Sequence, residues 1–225
     1  MPCSLYGKLL AKRDFIAENL SRGFLDVFEP WLHGALAASR LELGARWQET
    51  YFAAPIWRFW LGEGYCGRAI LGAFMPSVDG VGRSFPLVAF ASAPAGHVFA
   101  RPDVDPQDAW FDALEAFLLA TLETRAYGDV TAALAGLADP RHQPRAEPAA
   151  AVTVLPGGMA ALRPEPGAPL LADLSAAEDE ANRVHGTCWW TIGGEDFPAA
   201  AVCGRQLPPP ATFSSFLTGR LVPAG

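Results

Sequence analysis

Three short apolar runs in close succession set the tightest limit on how this chain folds. They are Ile56–Leu61 (IWRFWL), Gly67–Phe74 (GRAILGAF) and Pro86–Ser92 (PLVAFAS). Each falls far short of the ~20 apolar residues that a membrane-crossing helix needs. Each has the length and aromatic or branched content of a strand. The Gly62–Gly64 turn and the Pro76–Ser84 loop that join them are too short for a helical crossover, which predicts an antiparallel meander. Ile56–Leu61 is apolar on both faces apart from Arg58. Such a strand needs cover on both sides, so helices are expected on the two faces of the sheet, in an α/β fold.

The flanking sequence supplies those helices. Phe24, Phe28, Leu32, Ala35, Ser39 and Leu43 recur at helical steps and predict a helix over Phe24–Leu43, with Gly44 as its stop and Pro30 in its first turn. A shorter helix over Ala45–Ala53 places Trp47 and Tyr51 on one side. A third is predicted over Pro106–Arg125, capped by Asp105, with Pro106 at its first position and Asp108 suiting its dipole. Residues 3–10 read as a first strand and Thr187–Ile192 as a further one, stopped by Gly193-Gly194. Ser175 with Glu178 has the form of a capping box, and Phe213, Phe216 and Leu217 read as a last helical turn. Seven of the twenty prolines lie between Asp139 and Pro169, an irregular connection with one possible strand at Ala151–Leu155. The segment after Pro169 is too small for a core of its own, so residues 1–225 are expected to form one domain.

Charge and cysteine usage narrow the partners. The net charge is −7, and no run of lysine or arginine exists, which argues against nucleic acid or an anionic membrane. Cys3, Cys66, Cys188 and Cys203 lack the spacing of a disulfide scaffold. No apolar leader precedes them, because Lys8, Lys12, Arg13 and Asp14 interrupt the N-terminal segment. A cytoplasmic, reduced protein with no membrane insertion is expected.

Few residue patterns carry chemistry. Gly7-Lys8 lacks the upstream glycine and the following hydroxyl of a phosphate-binding loop. His185 and Cys188 stand at ligand spacing, but no second pair accompanies them, so a metal site is not expected. Gly64-Tyr65-Cys66-Gly67 has the outline of a nucleophile elbow. Strand sequence comes directly after it, where activation of the thiol calls for a helix. His97, His142 and His185 have no evident orienting acid. Neither a cofactor nor a catalytic residue is assigned.

The loop MPSVDGVGR (Met75–Arg83) is the best candidate site, because polar residues on a loop between apolar strands are where function concentrates. Asp79 and Arg83 either pair across the turn, with Gly80 and Gly82 supplying positive φ, or face a partner or substrate. Arg58, within a Trp-rich strand, needs a carboxylate or several carbonyls if buried; Asp79 and Asp14 are the candidate carboxylates. Of Trp189-Trp190, one faces each side of its strand, and burial of both is expected.

Taken together, YGKLLAKRDF (Tyr6–Phe15), ALAASRLELGARW (Ala35–Trp47), APIWRFWL (Ala54–Leu61), Cys66-Gly67, MPSVDGVGRSFPL (Met75–Leu87) and CWWTIGG (Cys188–Gly194) make the chain resemble the TagF family, also called ImpM, of bacterial type VI secretion. The resemblance covers nearly the whole chain, with departures at Leu10, Lys12, Arg13 and Gly80. It implies a three-layer α/β/α sandwich around a largely antiparallel mixed sheet. It also implies a non-enzymatic accessory regulator that represses secretion post-translationally by binding the forkhead-associated (Fha) component. The motif residues it marks as candidates for partner binding are Tyr6, Lys8, Asp14, Trp57, Arg58, Ser77, Asp79, Arg83 and Trp190. The alternative is a hydrolase or phosphate-handling enzyme using Ser77, Asp79 and Arg83; a structural subunit of the apparatus is a third reading.

Overall fold

A computed structural model describes residues 2–147, 152–163, 169 and 173–221. In chain order, the elements are β1 (Ser4–Gly7), β2 (Ile16–Glu18), α1 (Arg22–Leu43), α2 (Trp47–Ala53), β3 (Trp57–Leu61), α3 (Glu63–Cys66), β4 (Ile70–Met75), β5 (Leu87–Ser92) and β6 (His97–Val98). Next come α4 (Asp108–Ala120), α5 (Tyr127–Ala135), β7 (Gln143–Pro144), β8 (Val152–Leu155), β9 (Met159–Leu162), α6 (Leu174–His185), β10 (Thr187–Thr191), β11 (Ala200–Gly204) and α7 (Phe213–Thr218).

The three apolar runs form the centre of a seven-stranded sheet of order β11-β10-β3-β4-β5-β1-β2. Each neighbouring pair is antiparallel. Alternation along the strands makes its two faces unlike. Trp57, Phe59, Phe74, Phe90 and Trp189 point to one face, where α1 brings Phe24, Phe28 and Trp31 and α7 brings Phe213 and Phe216. Ala73, Ala89 and Ala91 point to the other, and Trp110, Phe111, Leu114 and Phe117 of α4 fill the space that these small residues leave. The sheet therefore lies between two helical layers, as a double-sided β3 requires. Gly72 serves the aromatic face: a Cβ there would stand 2.5 Å from the Phe59 ring and 2.6 Å from Phe90 Cβ. No helix among the described residues is long and apolar enough to cross a membrane.

Several boundaries depart from the sequence reading. Strand β1 ends at Gly7, and the chain turns back into β2, which pairs with it. Helix α1 begins at Arg22, because the Ser21 hydroxyl accepts from the Phe24 N–H. Pro30 therefore lies well inside the helix, on its exposed side. Asp26, whose carbonyl Pro30 leaves without its helical donor, is exposed as well. The Gly62–Gly64 turn carries the short helix α3.

Helix α4 starts at Asp108, after Gln107 in a left-handed conformation (φ 52°), and Asp105 is not its cap. Asp105 instead takes the Arg141 guanidinium, while the buried Gln107 amide donates to the Arg141 carbonyl and accepts from its N–H. The helix stops at Ala120, and α5 is a separate element. Helix α6 begins at Leu174 after Asp173, so Ser175 already lies in the first turn and caps nothing. The strand expected at Ala151–Leu155 is β8, a hairpin partner of β9; Ala151 lies outside the described residues, as do Pro148, Pro164 and Pro166 of the proline-rich connection.

Candidate functional site

The Met75–Arg83 loop connects β4 to β5 and lies against the turn that joins β1 to β2. Asp79 is fully buried at their junction. Its Oδ1 accepts from the N–H groups of Val81 (3.1 Å) and Arg83 (2.9 Å). Its Oδ2 accepts from Arg83 Nε at 2.6 Å and meets Lys8 Nζ at 3.1 Å. Burial alone would push this carboxyl up, but the Arg83 N–H, the Arg83 guanidinium, Lys8 and the Val81 N–H together hold it well below the usual carboxylate range. The structure thus takes the pairing alternative for Asp79 and Arg83. Only Gly82 has positive φ; Gly80 does not, and its N–H donates to the Lys12 carbonyl at 2.7 Å.

Ser77 is buried as well. Its hydroxyl donates to the Lys8 carbonyl (2.8 Å), and its N–H donates to the Tyr51 hydroxyl (3.0 Å). The Arg83 Nη2 donates to the Arg13 carbonyl, and Asp14, almost fully exposed, stands 3.9 Å from the same guanidinium. These contacts weld loop and turn into one unit at the edge of the sheet. The Ser77 hydroxyl and both Asp79 oxygens are thus engaged within the fold.

The remaining sequence-selected residues lie elsewhere. Tyr6 is buried, and its hydroxyl donates to Glu29 Oε1 at 2.8 Å. Trp57 stacks on Phe216 and donates to its carbonyl. Arg58 pairs with neither Asp79 nor Asp14. It lies on the α4 side of β3, where Glu115 (2.6 Å), Asp112 (2.9 Å) and Asp108 (3.6 Å) face it. Those three acids stand at i, i+4 and i+7 of one helix, a spacing that puts them on a single face. Trp189 is fully buried, whereas Trp190 is half-buried against Phe111, so burial is not complete for both. His185, whose ring lies near Tyr65, and Cys188, whose sulfur faces Cys203, share no ligand geometry. Among the described residues no cluster of three or more His, Cys, Asp or Glu is placed to hold a metal.

Beside the welded loops lies a cleft of about 580 Å³, lined by Lys8, Phe15, His33, Arg40, Arg83 and Ser84, with Leu36, Ala37 and Phe85. Phe15 is 46% exposed at its wall. The cleft gathers positive charge in a chain of net charge −7. By contrast, a groove of about 1080 Å³ near α2 and α7 is lined by Glu42, Glu49, Glu115, Glu195 and Asp196, with Arg46 and Arg220. Sequence reasoning did not select His33 and Arg40. Both lie on the polar face of α1, in line with Asp26 and Glu29 and opposite the buried Phe24, Phe28 and Leu32.

The TagF N-terminal domain, described as type VI secretion system-associated, matches residues 4–137. The chain belongs to the TagF family. The match spans β1 through α5 and so contains both welded loops and the cleft. A crystal structure of PA0076 from Pseudomonas aeruginosa PAO1 superposes with a TM-score of 0.77 at 32% identity, covering 99% of this chain and 98% of that one. That likeness extends through α6, β10, β11 and α7, beyond the matched domain. Comparison with curated proteins finds no match. This TagF-family protein is therefore type VI secretion-associated.

Proposed function

We propose that this protein is a cytoplasmic, non-enzymatic regulator that represses type VI secretion post-translationally by binding the Fha component. The observation that carries the reading is membership of a type VI secretion-associated family. The loop chemistry supports a binding role over the phosphate-handling alternative, because Ser77 and Asp79 are engaged in internal hydrogen bonds. The partner surface is the cationic cleft. Arg83 is 58% exposed, Phe15 adds an apolar contact, and Arg40 stacks over Trp47 at 4.3 Å, which fixes its guanidinium at the rim. A rim of this kind suits an acidic segment of the partner.

Binding of the purified protein to the Fha component encoded near it tests the reading. Arg40→Ala and Phe15→Ala, which leave the Asp79 contacts intact, are expected to weaken binding at least about tenfold each if both are central to the interface. Unchanged affinity in folded variants removes the cleft from the interface. Deletion of the gene tests the regulatory claim separately: secretion is expected to rise, and a fall or no change counts against repression. Stoichiometric co-purification with assembled particles would favour a structural subunit instead.

A further inference from the structure

Strands β10 and β11 set two thiols face to face. Cys188 and Cys203 are register partners in an antiparallel pair. Such partners have Cα atoms about 4.5–5.5 Å apart, inside the ~4.4–6.8 Å that a disulfide spans. Their sulfurs lie 2.9 Å apart, and both are free thiols. The two are unequal: Cys188 is buried, while Cys203, on the edge strand, is exposed. A cavity of about 280 Å³ is lined by both cysteines, with Arg101, Asn182 and Arg205 in its wall. The other two cysteines sit apart, Cys3 buried beside β1 and Cys66 at the end of α3. Burial pushes their thiols up to about 11 and about 12.

We propose that Cys188 and Cys203 form a reversible thiol–disulfide site whose co-reactant is a low-molecular-weight disulfide such as oxidised glutathione. Cys203 attacks first. The adjacent Cys188 sulfur and the field of Arg101, against burial and Asp103, hold the Cys203 thiol below its ordinary range, while Cys188 moves up. The Cys203 thiolate attacks one sulfur of the reagent. The reagent's S–S bond breaks, a mixed disulfide forms, and the other half leaves as a thiolate that takes a proton. Cys188 then loses its proton to solvent and attacks Cys203 Sγ, releasing the second half as thiol. Two protein thiols are oxidised by two electrons, and one external disulfide is reduced to two thiols.

The consequence is local. Strand β11 is an edge strand, held in the sheet through β10 alone. It leads to Pro208, whose carbonyl accepts from Trp31 Nε1 of α1. Oxidation fastens this edge covalently. In a compartment buffered by glutathione, the state of the pair follows the ratio of oxidised to reduced glutathione.

The test equilibrates the reduced full-length protein, still folded, in glutathione buffers of graded ratio, with acid quenching and peptide mapping of each sample. A Cys188–Cys203 disulfide is expected that forms in oxidised buffer and reverses in reduced buffer, with Cys3 and Cys66 left as thiols. Cys188→Ser is expected to stop at a glutathione adduct on Cys203. In Cys203→Ser, adduct formation at Cys188 is expected to be at least about tenfold slower than at Cys203 in Cys188→Ser. The wild-type measurement stands even if a variant misfolds. Absence of the cross-link in fully oxidised glutathione, its appearance only after denaturation, or its failure to reverse would each overturn the proposal.

Discussion

Asp79→Asn is the sharpest perturbation of the welded loops, because it keeps shape and removes charge. The Asn Oδ1 still accepts from the Val81 and Arg83 N–H groups. Its amide nitrogen, however, now faces Arg83 Nε and Lys8 Nζ, donors against a donor. The two cations do not suffer equally. The Arg83 side chain is 58% exposed and regains water, so its loss is small. The Lys8 side chain is 9% exposed and is left as a nearly buried, unpaired ammonium. Breaking a buried pair in this way costs about 3–5 kcal/mol. The cation–π contact of Lys8 with Phe15, at 5.2 Å, is kept in the variant, so the ammonium retains one favourable neighbour and the cost falls at the low end of that range. A loss of about 3 kcal/mol is expected, which in a domain of this size lowers Tm by about 6–12 °C.

Urea unfolding of Asp79→Asn, Lys8→Met and the double variant measures this directly. Because Lys8→Met removes the stranded charge, the double variant is expected to be no less stable than Asp79→Asn alone, a coupling of at least about 1.5 kcal/mol. A cost below about 1 kcal/mol for Asp79→Asn, or strict additivity in the double variant, would falsify the assignment of Asp79 as the tether. Acid supplies an independent check. The folded carboxyl titrates well below its unfolded value, so its stabilisation is present above about pH 4 and is lost as pH falls from there toward the depressed folded value. Wild-type stability is expected to drop over that range more steeply than that of Asp79→Asn.

Four further substitutions probe the frame that carries these loops. Arg58→Ala is expected to cost about 2–4 kcal/mol, chiefly by stranding the mostly buried Glu115, whereas Asp112→Ala, 69% exposed, is expected to cost under about 1 kcal/mol in the same thermal unfolding assay. Gly72→Val forces its side chain into the Phe59 and Phe90 rings and is expected to lose about 1–3 kcal/mol with reduced near-ultraviolet circular dichroism from the displaced aromatics. Gln107→Ala leaves the Arg141 carbonyl and N–H without their amide partner, for about 1–3 kcal/mol in urea unfolding and faster hydrogen exchange at Arg141.

The central sheet was legible because its strands announce themselves without help from tertiary context. Ile56–Leu61 is apolar on both faces, and only a sheet covered on both sides satisfies that pattern. Element ends were less legible where a side chain outside the local window decides them. Asp105 before Pro106 has every local mark of a cap, yet Arg141, thirty-six residues on, takes its carboxylate. Gln107 then assumes the left-handed turn. Pro30 reads as a first-turn residue only while the contribution of Ser21 is overlooked. Arg58 shows the same limit in the site: that burial would oblige it to find a carboxylate or several carbonyls was readable, but which groups meet it was not. Asp79 is near in sequence, whereas Glu115 and Asp112 reach Arg58 only because α4 crosses the small-residue face of the sheet.

The placement of the signature residues changes what a functional variant of this protein should look like. Ser77 and Asp79 are buried, and each bonds the β1–β2 turn to the β4–β5 loop. Strands β1 and β5 are themselves paired, so the two loops rise side by side from neighbouring strands. A tether there holds Phe15 and Arg83, one from each loop, against His33 and Arg40 of α1. Loss of Asp79 is therefore expected to weaken partner binding and stability together, through the position of Arg83. Loss of Arg40 is expected to weaken binding while leaving unfolding nearly unchanged, since its guanidinium lies over Trp47 at the surface and is 3.5 Å from the Ser84 carbonyl. Measuring both quantities on both variants separates a loop that presents a surface from a loop that merely closes a sheet. If Arg40→Ala and Asp79→Asn each change stability alone, the welded loops serve the fold and the partner binds elsewhere.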